Sequence, residues 1–255
     1  MTNLVVGASG ATGRLVVEEL LNRGQAVKVI VRSAESLPEK IREHKNISIV
    51  VASIIDLNDA ELSGHVKGCD TVISCLGHTM SFKGIFGFPR RLVTDVTRRL
   101  CDAIIANHSM DKSENNARKP VKFILMNSSG VGNRDLSENV SFKHKCVITL
   151  LRWLLPPHKD NEMAADYLRT EIGQHHPVIE WTAVRPDGLI NEKHVSEYAI
   201  YPSPIRSAIF EAGQVSRITV GHFMADLASN MNLWLQWKGQ MPVIYTNKLL
   251  ATASE

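Results

Sequence analysis

A doubly wound α/β domain, with a parallel sheet covered by helices on both faces, is predicted by three features of the chain. Residues 4–21 run strand, glycine-rich turn, helix; short apolar runs then alternate with helical segments; and the 255 residues, 44% of them hydrophobic, can bury a large core without needing a second one. Parallel strands joined by helices imply right-handed crossovers.

The elements follow in order. Leu4-Val5-Val6 is a first strand starting at residue 3 or 4, and Arg14 to Leu21 carries an amphipathic pattern closed by Gly24 as a C-cap. Ala26–Val31 and Ile47–Val51 read as the second and third strands, with a short helix between Ser36 and Glu43, and Thr71–Cys75 reads as the fourth. A longer helix is expected over Leu92–Ala106, followed by a polar loop from His108 to Pro120. Val121–Met126 is strand five and Ile179–Val184 strand six. Val147–Leu155 reads as a short apolar helix, packed over the sheet or else used as a membrane-surface or dimer contact.

The turn Gly7-Ala8-Ser9-Gly10-Ala11-Thr12-Gly13 has the spacing of a phosphate cradle. Gly7 permits the tight turn, Gly10 lets backbone approach a pyrophosphate, and Gly13 lets the helix pack against the strand. N–H groups at the helix start, around Ser9, Ala11, Thr12 and Arg14, would face the anion. Glycines also close turns that hold no ligand, so the strand before and the helix after carry the argument. Together they predict a Rossmann-type dinucleotide fold. At the end of strand two, where an acidic residue would bond the ribose 2′-hydroxyl of NAD, stand Arg32 and Ser33. A guanidinium suits a 2′-phosphate, so NADP(H) is expected over NAD(H), the alternative being a solvated surface arginine.

A formal charge of +3 without basic–aromatic runs points away from nucleic acid. No apolar run reaches the length of a membrane span and the early strand leaves no room for a signal peptide, so a cytoplasmic protein is expected, as monomer or homodimer. Cys69, Cys75, Cys101 and Cys146 lack metal or redox spacing and the histidines are scattered, so reduced, mostly buried thiols and no metal are expected.

Further stretches are Val72-Ile73-Ser74-Cys75-Leu76-Gly77, Met126-Asn127-Ser128-Ser129-Gly130-Val131, Val184-Arg185-Pro186-Asp187-Gly188-Leu189 and the late helix Ile218–Ala228. With the glycine turn, they make the chain resemble the atypical short-chain dehydrogenase/reductases with an NAD(P)H-binding domain, a group that includes flavin/biliverdin reductases and NmrA-type redox sensors. The resemblance implies a single domain over residues 1–255 with a small C-terminal substrate-side extension. It places Ser53 and Ile54 by the adenine, Leu76, Gly77 and Asn127 beside the cofactor, and Pro186, Asp187, Gly188 and Leu189 over the nicotinamide amide. His78 is a further cofactor contact or a hydrated loop histidine. Substrate-side segments are expected near 78–92, 141–160 and 187–215.

The superfamily's usual Tyr-x-x-x-Lys pair is absent, because Tyr167, Tyr198, Tyr201 and Tyr245 are each followed four residues on by another residue type. Aligned with relatives, Pro157 takes the Tyr position and Asn161 the Lys position, with Lys159 two residues earlier as a ribose contact or a solvated lysine. Ser129, with Ser128 beside it, is the expected polar contact to substrate, yet a serine alone is a poor acid. Such a site suits a small conjugated acceptor, FMN, FAD or a quinone, that needs mainly proximity and orientation. Met80, Phe82, Ile85, Phe86 and Phe88, between Gly84, Gly87 and Pro89, form either an aromatic flap over it or an ordinary packed loop. The function expected is an NADPH-dependent oxidoreductase. A non-catalytic NADP(H) sensor is the rival, and an epimerase or dehydratase lacks its tyrosine and larger lobe.

Overall fold

The computed structural model describes residues 1–78, 87–110, 119–136, 138, 155–207, 211 and 213–247. The elements are β1 (Thr2–Val6), α1 (Gly13–Asn22), β2 (Ala26–Val31), α2 (Glu39–Arg42), β3 (Ile47–Val51), α3 (Asp59–Val66), β4 (Thr71–Ser74) and α4 (Leu92–Met110). They continue with β5 (Val121–Met126), α5 (Pro156–Tyr167), β6 (Ile179–Pro186), β7 (Gly188–Ile190), β8 (Tyr198–Tyr201) and β9 (Gln214–Ser216). Last come α6 (Arg217–Ser229), α7 (Met231–Trp237) and β10 (Val243–Thr246). The main sheet has the order β3-β2-β1-β4-β5-β6-β10-β8, and β7 pairs with β9 in a separate ribbon. This is the Rossmann-type doubly wound fold.

Alternation along the strands splits the core into two layers. Leu4 and Val6 face the side covered by α4 and α5, with Leu100, Ile104 and Leu168, whereas Val5 faces α1 and α6, with Val16, Leu20 and Phe223. Burying each such side chain contributes roughly 1.5–3 kcal/mol. On the second face Gly221 lets α6 approach α1, since a Cβ there would lie 3.1 Å from that of Leu15.

Several expectations change in detail. β8 pairs antiparallel with β10, so the sheet ends on an antiparallel edge rather than staying parallel throughout. The Ser36–Glu43 helix resolves into a 3₁₀ turn at Ala34–Ser36 and the single turn of α2, separated by Pro38, whose ring blocks a continuous helix. Strand six runs on through Pro186, and the helix from Leu92 extends to Met110, into the expected loop. Helix α3 was not anticipated; Asn58 and Glu61 form a capping box at its start. Gly24 lies one residue beyond the C-cap Arg23, at φ 70°. Residues 111–118 of the polar loop, 147–154 of the apolar helix and Cys146 lie outside the described residues. Among those described, no helix is long and apolar enough to cross a membrane.

Cys69, Cys75 and Cys101 are free and buried. Burial pushes the Cys75 thiol up to about 12, and raises the other two as well. A thiol held neutral in the fold but free to ionise in the unfolded chain makes stability fall as pH rises above the unfolded value, near 9. Urea unfolding between pH 8 and 11 should therefore show a Cys75→Val variant losing stability less steeply than wild type, by up to about 1.4 kcal/mol per pH unit. Parallel slopes would contradict a buried neutral thiol.

Candidate functional site

Parallel register places the candidate residues along one edge. Val6 pairs with Ile30 and Ser74, Val31 with Val51, Ser74 with Leu125, and Met126 with Val184. The carboxyl ends of β1 to β6 therefore form one row, with the order reversing between β1 and β4. Ligands of open α/β sheets bind at such a switch point. A cavity of about 560 Å³ lies at the opposite end of the sheet beside Cys69, Asp70 and Lys122.

The glycine turn is sterically locked. Gly7 has φ 74°, and a Cβ on it would sit 2.6 Å from the Cys75 carbonyl, so only glycine lets the turn press against the end of β4. A Cβ on Gly13 would lie 2.1 Å from the Gly7 oxygen. The Gly10 N–H donates to Gly7 O (3.0 Å), and the Gly10 carbonyl accepts from Arg14 N (3.1 Å). Thr12 is buried as the N-cap of α1, while Ser9, Gly10, Ala11 and Arg14 are exposed. The cradle is open on its solvent side, ahead of the first-turn N–H groups of α1.

Arg32 is exposed just past β2, and neither its guanidinium nor that of Arg14 makes a hydrogen bond or ion pair among the described residues. Ser33 does not project free: its hydroxyl donates to Glu35 Oε2 at 2.5 Å, which holds the Glu35 carboxyl below its usual range. Glu35 is thus a nearby anion that the sequence reading did not weigh. Ser53 turns its carbonyl toward Asp56 N and Leu57 N, and Ile54 packs against the core while its carbonyl accepts from Arg99.

Leu76 and Gly77 follow β4 onto the same edge, with Leu76 half-buried and Gly77 exposed. His78 turns inward, its Nε2 2.8 Å from Asp160 Oδ2 on α5. Asp160, fully buried, also accepts from Val93 N (2.8 Å), Thr94 N (2.9 Å) and Thr94 Oγ (2.6 Å), capping the start of α4. One carboxylate therefore ties the post-β4 loop to two helices.

Asn127 likewise bridges elements, donating from Nδ2 to the carbonyl of Asn161 and accepting the Ser128 N–H. The two serines differ. Ser129 is buried and donates its hydroxyl to Asp187 Oδ1 (3.1 Å), whereas Ser128 is half-buried and accepts the Gly130 N–H (3.3 Å). Asp187 also accepts from Gly188 N and Gly213 N, fastening the ends of β5 and β6 to the strand before α6. Pro186 is buried, and Gly188 and Leu189 open the β7 ribbon.

Arg185, to which the sequence reading gave no role, is buried behind this edge. It donates to the carbonyls of Met241 (2.6 Å), Val131 (2.9 Å) and Pro202 (3.0 Å), and Nη1 lies 2.8 Å from Glu138. Burial lowers its pKa, opposed by the Glu138 charge. His158 was missed as well; it lies on the first turn of α5, beside Pro157, against Gly130. Lys159 is exposed. Residues 79–86 of the aromatic segment lie outside the described residues, and Phe88 is exposed.

A Rossmann-type sheet with a glycine cradle at its switch point defines a dinucleotide-binding protein. The chain belongs to the NAD(P)H-binding family, whose profile matches residues 7–231, as the resemblance to atypical short-chain dehydrogenase/reductases implied. An uncharacterized chloroplastic protein of Arabidopsis thaliana is 29% identical over 224 residues, covering 87% of this chain and 70% of that protein. Among solved structures, ChuY, an anaerobillin reductase from Escherichia coli O157:H7, superposes with TM-score 0.65 at 16% identity, covering 97% and 98% of the two chains. A Veillonella parvula short-chain dehydrogenase/reductase in complex with NADP gives 0.66 at 15%, covering 97% and 95%. The oxidoreductase ylbE of Lactococcus lactis gives 0.66 at 16%, covering 97% and 92%. At these identities the solved structures speak for the fold.

The residues present suit a bound dinucleotide, because the Gly7 and Gly13 contacts keep side chains out of the cradle. A Gly10→Val variant should fold normally, its exposed Cα leaving room for a small shift from Gly7 O, yet lose NADP(H) binding by at least about tenfold. Circular dichroism and nicotinamide fluorescence check the two parts; unchanged affinity would refute the cradle.

Proposed function

We propose that this protein is an NADPH-dependent oxidoreductase that reduces a small conjugated acceptor, a flavin or quinone, without a Tyr-x-x-x-Lys pair. The observation that carries this reading is the glycine cradle flanked by two guanidiniums, Arg14 and Arg32, that have no protein partner among the described residues. Bound NADPH supplies the hydride. Gly7 to Gly13 hold the pyrophosphate through backbone N–H groups, and Arg32 takes the 2′-phosphate. Leu76 and Gly77 line the cofactor, with Ser53 and Ile54 at the adenine and Gly188 and Leu189 beside the nicotinamide. His78 and Asn127 shape that wall by anchoring it to α5, and Asp187 fixes its far end.

Ser128 rather than Ser129 offers a hydroxyl to the acceptor, since Ser129 gives its proton to Asp187. The reductase name of ChuY and the NADP of the Veillonella protein support the same reading. Purified protein mixed with NADPH and either FMN or menadione should lose nicotinamide absorbance at a rate that scales with acceptor. Tight binding with no acceptor-dependent oxidation would instead favour a nucleotide sensor, a reading suited to the missing tyrosine.

A further inference from the structure

We propose that His158, backed by Glu162, donates the proton to the reduced acceptor in place of the missing tyrosine; the proposal rests on the reductase reading. His158 occupies the first turn of α5, its backbone N–H donating to Leu155 O at 3.0 Å, one residue after the proline in the tyrosine position. Its two ring nitrogens face different surroundings. Nε2 is enclosed by protein and lies 3.5 Å from Glu162 Oε1, one turn further along the helix, without forming a hydrogen bond to it. The opposite side of the ring faces the turn after β5. A carbon placed on Gly130 would stand 3.5 Å from His158 Cε1, 3.8 Å from Nδ1 and 3.7 Å from Ser128 Oγ.

Nδ1 and the Ser128 hydroxyl therefore border one gap, left open because residue 130 has no side chain. Nδ1 makes no hydrogen bond among the described residues, and Ser128 Oγ only accepts one, from Gly130 N, so both can donate. The Glu162 carboxylate lies on the Nε2 side of the ring, away from the gap that Nδ1 borders, an arrangement like that of histidine–carboxylate pairs in acid–base catalysis. Asp160, the other buried acid on this helix, is bonded to α4 and His78, and Glu162 is the carboxylate 3.5 Å from the His158 ring.

For a quinone the balance is complete. The hydride bonds to one carbonyl oxygen, electron pairs shift through the ring onto the other carbonyl oxygen, and that oxygen forms an O–H bond with the proton from Nδ1. The neutral imidazole then recovers a proton from water. The quinone is reduced to hydroquinone and the nicotinamide is oxidised. Ser128 donates a hydrogen bond to the same oxygen as charge develops there.

The test compares wild type, His158→Gln and Glu162→Gln with menadione as acceptor. A positioned acid is worth about 10²–10⁴ in rate, so His158→Gln should lose at least about 100-fold in kcat. NADPH affinity, read by nicotinamide fluorescence without acceptor, should stay within about twofold. Added imidazole should restore part of the lost rate. Glu162→Gln, which keeps size and removes charge, should lower kcat and leave KM for menadione nearly unchanged. A His158→Gln enzyme within about threefold of wild type, with an unchanged solvent deuterium isotope effect, would overturn the proposal. Should His158→Gln misfold by circular dichroism, Glu162→Gln decides on the same criteria. Wild type that binds NADPH but never oxidises it would remove the reductase reading and this proposal together, whereas active wild type with an equally active His158→Gln removes this proposal alone.

Discussion

Asp160→Ala should destabilise the fold by about 3–5 kcal/mol, the range seen when one partner of a buried charged cluster is removed. The substitution deletes the acceptor of four donors: His78 Nε2, Val93 N, Thr94 N and Thr94 Oγ. The start of α4 would then hold unpaired buried N–H groups, each costing about 1–3 kcal/mol, partly relieved if water enters. His78 would lose this tie too, weakening one anchor of the loop that carries Leu76 and Gly77. Asp160→Asn keeps one acceptor oxygen and should cost less, about 1–3 kcal/mol. Urea midpoints of the three proteins test the order. An alanine variant within about 1 kcal/mol of wild type would show that the cluster is not a structural tie.

Arg32→Glu should weaken NADPH binding about 10–100-fold and change NADH binding much less. A charge-assisted hydrogen bond is worth about 1.5–3 kcal/mol when well formed, and each 1.4 kcal/mol is tenfold in affinity. The substitution removes that bond and sets a like charge against the phosphate, close to the existing carboxylate of Glu35. Salt screens an exposed pair, so the effect should shrink as ionic strength rises. Equal losses for both cofactors would remove Arg32 from the 2′-phosphate.

Much of this architecture was legible because parallel strands buried on both faces spell continuous apolar runs. β2, β3 and β5 have the ends read from sequence, with β2 stopped by Arg32 and β5 by Asn127. The glycine turn was legible for a steric reason, since its close contacts admit no side chain. Helix α3 was missed because it buries only Leu62 and Val66; the pair Asn58 and Glu61 was the available signal. β8 and β10 were missed because Tyr198–Tyr201 is only half-buried and takes its place through a partner strand more than forty residues away.

Side-chain assignments were harder to read. The serine pair is adjacent in sequence, yet Asp187, 58 residues later, determines which hydroxyl is engaged. His78 reads as a cofactor contact or a hydrated loop histidine, and its bond to Asp160, 82 residues on, is a tertiary contact that no local pattern shows. His158 carried a local signal, a histidine next to the vacated tyrosine position, but its approach to Gly130 is a tertiary fact.

In the proposed function the Gly7–Gly13 turn and Arg32 together form an NADP(H) site. Titration of the purified protein with NADPH and then NADH, following nicotinamide fluorescence at low ionic strength, tests it most directly. Both should bind saturably, with NADPH at least about tenfold tighter. Equal affinities would contradict the role of Arg32, and no binding of either would contradict the site itself.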